Sequence, residues 1–321
     1  MLQNGFLQVL SPENGEDRAS FYVYLPAGKG CYTQYRFTYM HAPAKPELTF
    51  TNGANDPANC TFYRIREAYI GTLAGDCFVP HFRALQAGEV GFAFREEGAG
   101  DFCGDFHGDE VTERAALWVD GQSVALDRPC FVAFHTLVFE QDSVLFRCNT
   151  PAEQVARHTQ KYTVRGDRIM LLQQVMWLTD IAQPLVAAFM PMLTIQRLDP
   201  KNHARILTDT VVFYDKPNGT PVCTFDTTPY GEKNGDLFSE HVCLNTVATA
   251  AQAYGKESGF FGEVGYRILH DSIPTEQIAT HLCIRYSTAL DNKLYFNIAK
   301  GVAPKTGTVW ESDVYYRLGL Q

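Results

Sequence analysis

The chain has 321 residues, is 45% hydrophobic and 20% charged, and carries a formal net charge of −9. This composition suits a folded globular protein and excludes an intrinsically disordered one. The acidic balance, with no long run of Lys or Arg, argues against a nucleic-acid partner, because phosphate contacts need clustered positive charge.

The strand signals start with Phe21-Tyr22-Val23-Tyr24-Leu25, which stops at Pro26-Ala27-Gly28. Glu89–Arg95 reads as a further strand, closed by Gly98 and Gly100. Ala116–Val119 leads into Asp120-Gly121 and then Ser123–Leu126, a hairpin whose turn residues tolerate positive φ. Phe131–Phe139 and Ser143–Arg147 are expected to pair across Gln141-Asp142. Lys161–Val164 meets Ile169–Leu172 across Arg165-Gly166-Asp167-Arg168, and Val211–Tyr214 meets Val222–Phe225 across Lys216–Gly219. Thr280–Tyr286, Lys293–Ile298 and Val309–Leu318 complete the series. Helical signals are few: one or two turns over Pro151–His158 and an alanine-rich stretch over Asn245–Tyr254. Many strands, short turns, no repeat and no linker predict one all-β domain spanning 1–321, a two-sheet antiparallel sandwich of jelly-roll type.

No apolar run approaches the ~20 residues that span a bilayer, and Met1–Leu10 lacks the charged and apolar regions of a secretory signal. A cytoplasmic or virion-associated protein without a membrane partner is expected. The nine cysteines are odd in number, widely spaced and form no Cys-x-x-Cys pair. Buried reduced thiols are the expectation, not a disulfide framework or a zinc knuckle.

Three segments could carry chemistry. Gly98–Glu110 packs four acids and His107 among four glycines. Glycine permits sharp turns and close ligand approach, and an imidazole suits proton transfer near neutrality. Asp101, Asp105, Asp109 and Glu110 offer oxygen ligands to Ca²⁺, though without EF-hand spacing. In the second segment, Lys293–Gly301, strand alternation puts Tyr295, Asn297 and Ala299 on one face. In the third, Arg157–Tyr162, it aligns His158, Gln160 and Tyr162, with Gln173–Trp177 across the hairpin. Such a face suits either a saccharide cleft or a polar outer surface. No nucleophile elbow, P-loop or dinucleotide fingerprint occurs.

His107-Gly108 in mid-chain and Tyr295-Phe296 near the C-terminus resemble motifs of the β-jelly-roll polysaccharide lyases: the alginate-lyase, glucuronan-lyase and heparinase-like families with a concanavalin-type sandwich. The pattern is also similar to uncharacterised β-sandwich proteins of gut bacteria and their phages. The lyase resemblance implies β-elimination from a uronate polymer, with His107 and Tyr295 moving the proton. An Arg, Gln or Asn then neutralises the substrate carboxylate, for which Arg95, Arg157, Gln173 and Asn297 are the candidates, with His158 a further substrate-binding candidate. Asp105 stands where those families carry a Gln, and Asn297-Ile298-Ala299 where they carry Lys-Ala-Gly. Two functions follow as expectations: a poly- or oligosaccharide-cleaving lyase, or a non-catalytic glycan-binding or phage-type structural sandwich. Geometry separates them, because an enzyme must bring base and carboxylate-neutralising group into one cleft.

Overall fold

The computed structural model describes residues 5–13, 16–42, 60–85, 90–148, 150–227, 232–233, 236–237, 240–245, 248–269, 278–287 and 290–321. Strand accounts for 68% of the chain and helix for 1%. The all-β expectation holds, since a typical domain is about 30–35% helical. In chain order the strands are β1 (Gly5–Val9), β2 (Phe21–Gly28), β3 (Cys31–Ala42), β4 (Cys60–Ala74), β5 (Cys77–Leu85) and β6 (Ala93–Glu96). After a single 3-10 turn (Asp105–His107) come β7 (Glu110–Val119), β8 (Gln122–Val124), β9 (Cys130–Phe134), β10 (Thr136–Arg147), β11 (Thr150–Arg165), β12 (Arg168–Trp177) and β13 (Leu185–Gln196). Next are β14 (Leu198–Asp199), β15 (Asn202–Ile206), β16 (Thr210–Tyr214), β17 (Pro221–Asp226), β18 (Glu232–Lys233), β19 (Asp236–Leu237) and β20 (Glu240–Asn245). The last five are β21 (Ala250–Tyr254), β22 (Phe260–Ile268), β23 (Ile278–Ser287), β24 (Asp291–Ala299) and β25 (Val309–Leu320).

Two short ribbons, β14–β15 and β18–β19, stand apart. The first large sheet runs β9-β1-β2-β3-β4-β5-β13-β24-β23-β20, with β6 also on β13. The second runs β8-β7-β10-β11-β12-β25-β22-β21-β16-β17. Among the described pairings only β4 and β7 run parallel, over Cys60↔Glu110 and Thr61↔Val111, and that contact joins the sheets. The sheets pack face to face through aromatic rings. Phe21 meets Phe139 at 5.2 Å, Phe37 meets Tyr162 at 5.3 Å, and Phe82 meets Phe260 at 5.3 Å, all edge-on.

Alternation explains the strands. Along β12, Ile169, Leu171, Gln173, Val175 and Trp177 are buried, and the residues between them are more exposed. The Asp120-Gly121 hairpin forms as expected, with φ of 48° and 84° at its two turn residues. Lys161 pairs with Leu172 and Arg165 with Arg168, also as expected.

Three local expectations fail. Gln141-Asp142 is not a turn: Thr136–Arg147 is one strand, and Phe131 belongs to β9, which pairs with β1. The polar pair marks a bulge instead. Asp142 faces Arg114 and Ser143 faces Thr112, so Glu113 is the extra residue on β7. Pro151–His158 lies inside the strand β11, and Ala250–Tyr254 is the strand β21. Ala251 and Ala253 face the main core, where burial between two sheets overrides alanine's helical preference. Glu89 and most of the turn-rich stretch 226–236 lie outside the described residues. No described helix is long and apolar enough to cross a membrane.

Candidate functional site

The inner face of the second sheet is banded. Phe139, Tyr162, Leu171 and Val314 belong to the large core. One register step along, Gln141, Gln160, Gln173 and Ser312 face one another across four strands. All four are buried. Beyond them come Ser143 and His158, and then a second apolar cluster with Leu145, Trp177 and Trp310. A polar seam therefore divides the interior into two apolar clusters.

Hydrogen bonds place the glutamines, Ser143 and His158 of the seam, while the buried Ser312 hydroxyl has no such partner. Gln141 Nε2 donates to Gln160 Oε1 at 2.5 Å and to the Tyr63 carbonyl at 2.9 Å. Its Oε1 accepts from Tyr63 N and from Thr112 Oγ1, both at 3.0 Å. Glu110 enters from β7. Its Oε1 accepts from Ser143 Oγ at 2.5 Å and lies 2.8 Å from His158 Nδ1, and its Oε2 accepts from Asp105 N at 3.1 Å. The edge of Phe92 packs against the His158 ring at 5.8 Å. Nearby, burial pushes the Tyr162 and Tyr316 hydroxyls well above their ordinary range.

This placement corrects the expectation for His158 and Gln173. Both side chains are 0% exposed, so neither forms the wall of a cleft or a polar outer surface. Alternation did put His158, Gln160 and Tyr162 on one face, but that face is the closed interior.

The segment 98–110 forms the loop that closes this end of the sandwich. Cys103 exchanges both backbone hydrogen bonds with Phe94, at 2.9 and 3.0 Å. Gly104 (φ 89°, ψ 158°) and Gly108 (φ 83°, ψ −152°) bracket the 3-10 turn in conformations open to glycine alone. A Cβ on Gly104 would sit 2.6 Å from the Phe92 carbonyl. Asp105 Oδ2 accepts from Val90 N at 2.9 Å. Asp105 and Glu110 thus hold the loop and the seam and do not converge on a shared calcium ion.

The loop's outer side gathers four half-exposed side chains. Arg95 lies over the Phe102 ring at 5.2 Å, and Phe102 packs on His107 at 4.9 Å. His107 Nδ1 lies 3.3 Å from Asp101 Oδ1. Arg95 and His107, both expected at the site, are therefore brought together, through an aromatic ring that sequence reasoning did not single out.

Tyr295 and Asn297 sit on β24, opposite Met192 and Phe189 of β13 with a bulge between. Leu294 and Phe296 point into the core, so Tyr295 faces away from the interior. Asn297 Oδ1 accepts from Ala188 N at 2.9 Å; this amide is engaged in holding the bulge. The expected residues thus divide. Arg95 and His107 share a surface patch, Tyr295 and Asn297 sit on the β13–β24 pair, and His158 and Gln173 are inside.

Below the patch, Cys103, Asp109 and Cys148 bring one ligand atom each to within 4.8 Å of one another. The two sulfurs are hydrogen-bonded; burial pushes the Cys103 thiol up, while the bond from Cys103 holds the Cys148 thiol below its ordinary value. Uniform burial of the cysteines does not hold: Cys77 is exposed, and Cys31, Cys130, Cys148 and Cys223 are half-buried.

No protein-family model matches the chain, and no curated protein matches it. Solved structures with a related arrangement include the Slr1438 protein of Synechocystis sp. PCC 6803, with 9% identity, a TM-score of 0.41 and coverage of 97% of this chain and 98% of that one. A GH36 α-galactosidase of Geobacillus stearothermophilus matches with 8% identity and a TM-score of 0.46, over 97% of this chain but 41% of the enzyme. A protein of Escherichia coli K12 assigned as an aldose 1-epimerase matches with 10% identity and a TM-score of 0.36, over 94% of this chain and 100% of that one.

Proposed function

We propose that this chain is a carbohydrate-active protein whose outer loop patch binds an acidic saccharide. The observation that carries the reading is the stack of Arg95 on Phe102 on His107, with Asp101 beside the imidazole. The Phe102 ring packs between Arg95 and His107 and fixes where both present their polar groups. A guanidinium offers a planar pair of donors for a uronate carboxylate. Asp101 and His107 can accept from and donate to hydroxyls. Binding is the best-supported role, because His158 and Gln173 are sealed inside and leave Arg95 as the carboxylate partner on the patch.

A second reading, β-elimination, draws support from the Asp101–His107 contact. A carboxylate beside an imidazole orients it. His107 would take the proton α to the carboxylate while Arg95 balances the enolate charge. The bond to the β-oxygen then breaks, and the leaving oxygen takes up a proton.

A glycan array with parallel titrations of uronate oligosaccharides tests both. Phe102→Ala should weaken binding by about 1–1.5 kcal/mol, roughly tenfold in Kd, and Arg95→Ala should remove the preference for acidic sugars. Binding unchanged in both variants overturns the patch. Unsaturated product appearing with native protein and lost in His107→Ala selects the lyase reading.

A further inference from the structure

We propose that Cys103, Asp109 and Cys148 form a binding site for a thiophilic divalent cation of the zinc class, two sulfurs and one carboxylate oxygen supplying three of its four ligands. Three separate parts of the chain converge here. Cys103 lies on the bridge to Phe94, Asp109 immediately before β7, and Cys148 just after β10. Backbone hydrogen bonds fix the approaches of Cys103 and Asp109. Cys103 is tied to Phe94 in both directions, and Phe146 N donates to the Asp109 carbonyl at 2.8 Å. The ligands thus sit on the isolated bridge to Phe94 or one residue beyond a strand end.

The spacing suits the ion. In a tetrahedral zinc site, bonds of about 2.3 Å to sulfur and 2.1 Å to oxygen put neighbouring ligand atoms about 3.6–3.8 Å apart. The three atoms here all fall within 4.8 Å of one another, so side-chain adjustments of roughly an ångström complete the geometry. Two sulfurs select a soft or borderline cation and disfavour calcium, which takes oxygen.

The electrostatics suit it too. Asp109 is only 3% exposed and Cys103 only 2%. Glu96 and Asp109 both act on the Cys103 thiol, and Asp101 acts on Cys148. The neighbouring cation, Arg147, is engaged by Glu96 and Glu153. A divalent ion would compensate the charge of Asp109 and of thiolates formed on binding. The backbone spends conformational strain to present these groups: Asp109 takes φ 54° in the left-handed region. Cys148 is half-buried, so the cluster is reachable from solvent on that side.

The experiment is a cobalt(II) titration of the full chain, reduced and metal-free, read by the thiolate-to-cobalt charge-transfer band. One equivalent per chain is expected, displaced by zinc. Zinc should also protect Cys103 and Cys148 from alkylation, read by peptide mass spectrometry. Cys148→Ser should weaken cobalt binding beyond the ~10–100-fold that loss of a supporting partner costs, with Asp109→Asn also weakening it. Cys77→Ser, an exposed control, should change nothing. No charge-transfer band in the native chain overturns the site, whatever the variants do. So does a band that persists in Cys148→Ser but is lost in Cys77→Ser. If the reduced chain takes up no cobalt while mild oxidation links Cys103 to Cys148, the cluster is a dithiol pair and the metal site is refuted.

Discussion

Gln141 grips the main chain of Tyr63 with both ends of its amide, accepting from the nitrogen at 3.0 Å and donating to the carbonyl at 2.9 Å. The two residues belong to different sheets. β4 pairs with β7 only at Cys60 and Thr61, and with β5 only from Ala68. At Tyr63 the edge of β4 therefore lacks a strand neighbour, and the Gln141 side chain takes its place. We expect Gln141→Leu to destabilise the fold by about 2–4 kcal/mol, since it leaves two buried backbone groups unpaired at about 1–3 kcal/mol each. Urea unfolding measures this. A loss below about 0.5 kcal/mol, the level of a neutral surface change, would show that the amide contributes nothing there.

The same residue shows where sequence reading stopped. Hairpins with Asp-Gly or Gly-Asp turns were legible, because turn chemistry is local. The shared face of His158, Gln160 and Tyr162 was legible too, because alternation is local. Which side of the sheet that face meets is not local. Polar residues at 158, 160 and 173 read as a saccharide cleft or an outer surface until another sheet covers them. Gln141-Asp142 read as a turn because the partner of the amide, Tyr63, lies 78 residues away. The convergence of Cys103, Asp109 and Cys148 is likewise invisible without the pairing of Phe94 with Cys103.

Glu110 and His158 form a fully buried pair, both side chains 0% exposed. We expect Glu110→Ala or His158→Ala to cost about 3–5 kcal/mol each, the usual result of breaking a buried pair and stranding its partner. The double variant should cost less than the sum by at least about 1 kcal/mol, the signature of direct coupling. Strict additivity would show that the two contribute independently. Ser143→Ala, which removes a donor to the same Glu110 oxygen, should cost about 1–3 kcal/mol.

The glycines of the loop separate into necessary and tolerant positions. Gly98 (φ 81°) has open space where a Cβ would go, whereas Gly104 (φ 89°) faces the Phe92 carbonyl at 2.6 Å. Gly98→Ala should cost only the backbone preference, about 1–2 kcal/mol. Gly104→Ala must also displace the backbone of the Phe92 segment, and we expect a loss of more than about 3 kcal/mol. It should also move the Cys103 bridge and the Phe102–His107 stack. Amide hydrogen exchange at Cys103 and Phe94 reports that movement. Equal effects from the two substitutions would contradict the close contact.

The tyrosines set the alkaline limit of stability. Burial, and secondarily the charge of Asp17, raises Tyr39 from 10.0 to about 12. Burial likewise raises Tyr35, Tyr63, Tyr162, Tyr266 and Tyr316. In the unfolded chain these phenols ionise near 10. Below that pH both states hold the proton, and stability does not depend on these groups. Above it the unfolded chain releases protons that the folded one keeps, so stability falls with rising pH. The loss begins near pH 10 and continues through the folded values, about 12 for Tyr39. Urea midpoints should therefore be flat in this respect below pH 10 and decline steeply above it. Absorbance titration should show the buried phenols ionising together with unfolding. Tyr63→Phe keeps the ring contacts with Phe21, Tyr39 and Phe139 but removes one titrating group and its bond to the Ala19 carbonyl. It should lower stability at neutral pH by about 1 kcal/mol and make the decline above pH 10 shallower. An unchanged slope would show that Tyr63 is not held neutral by the fold.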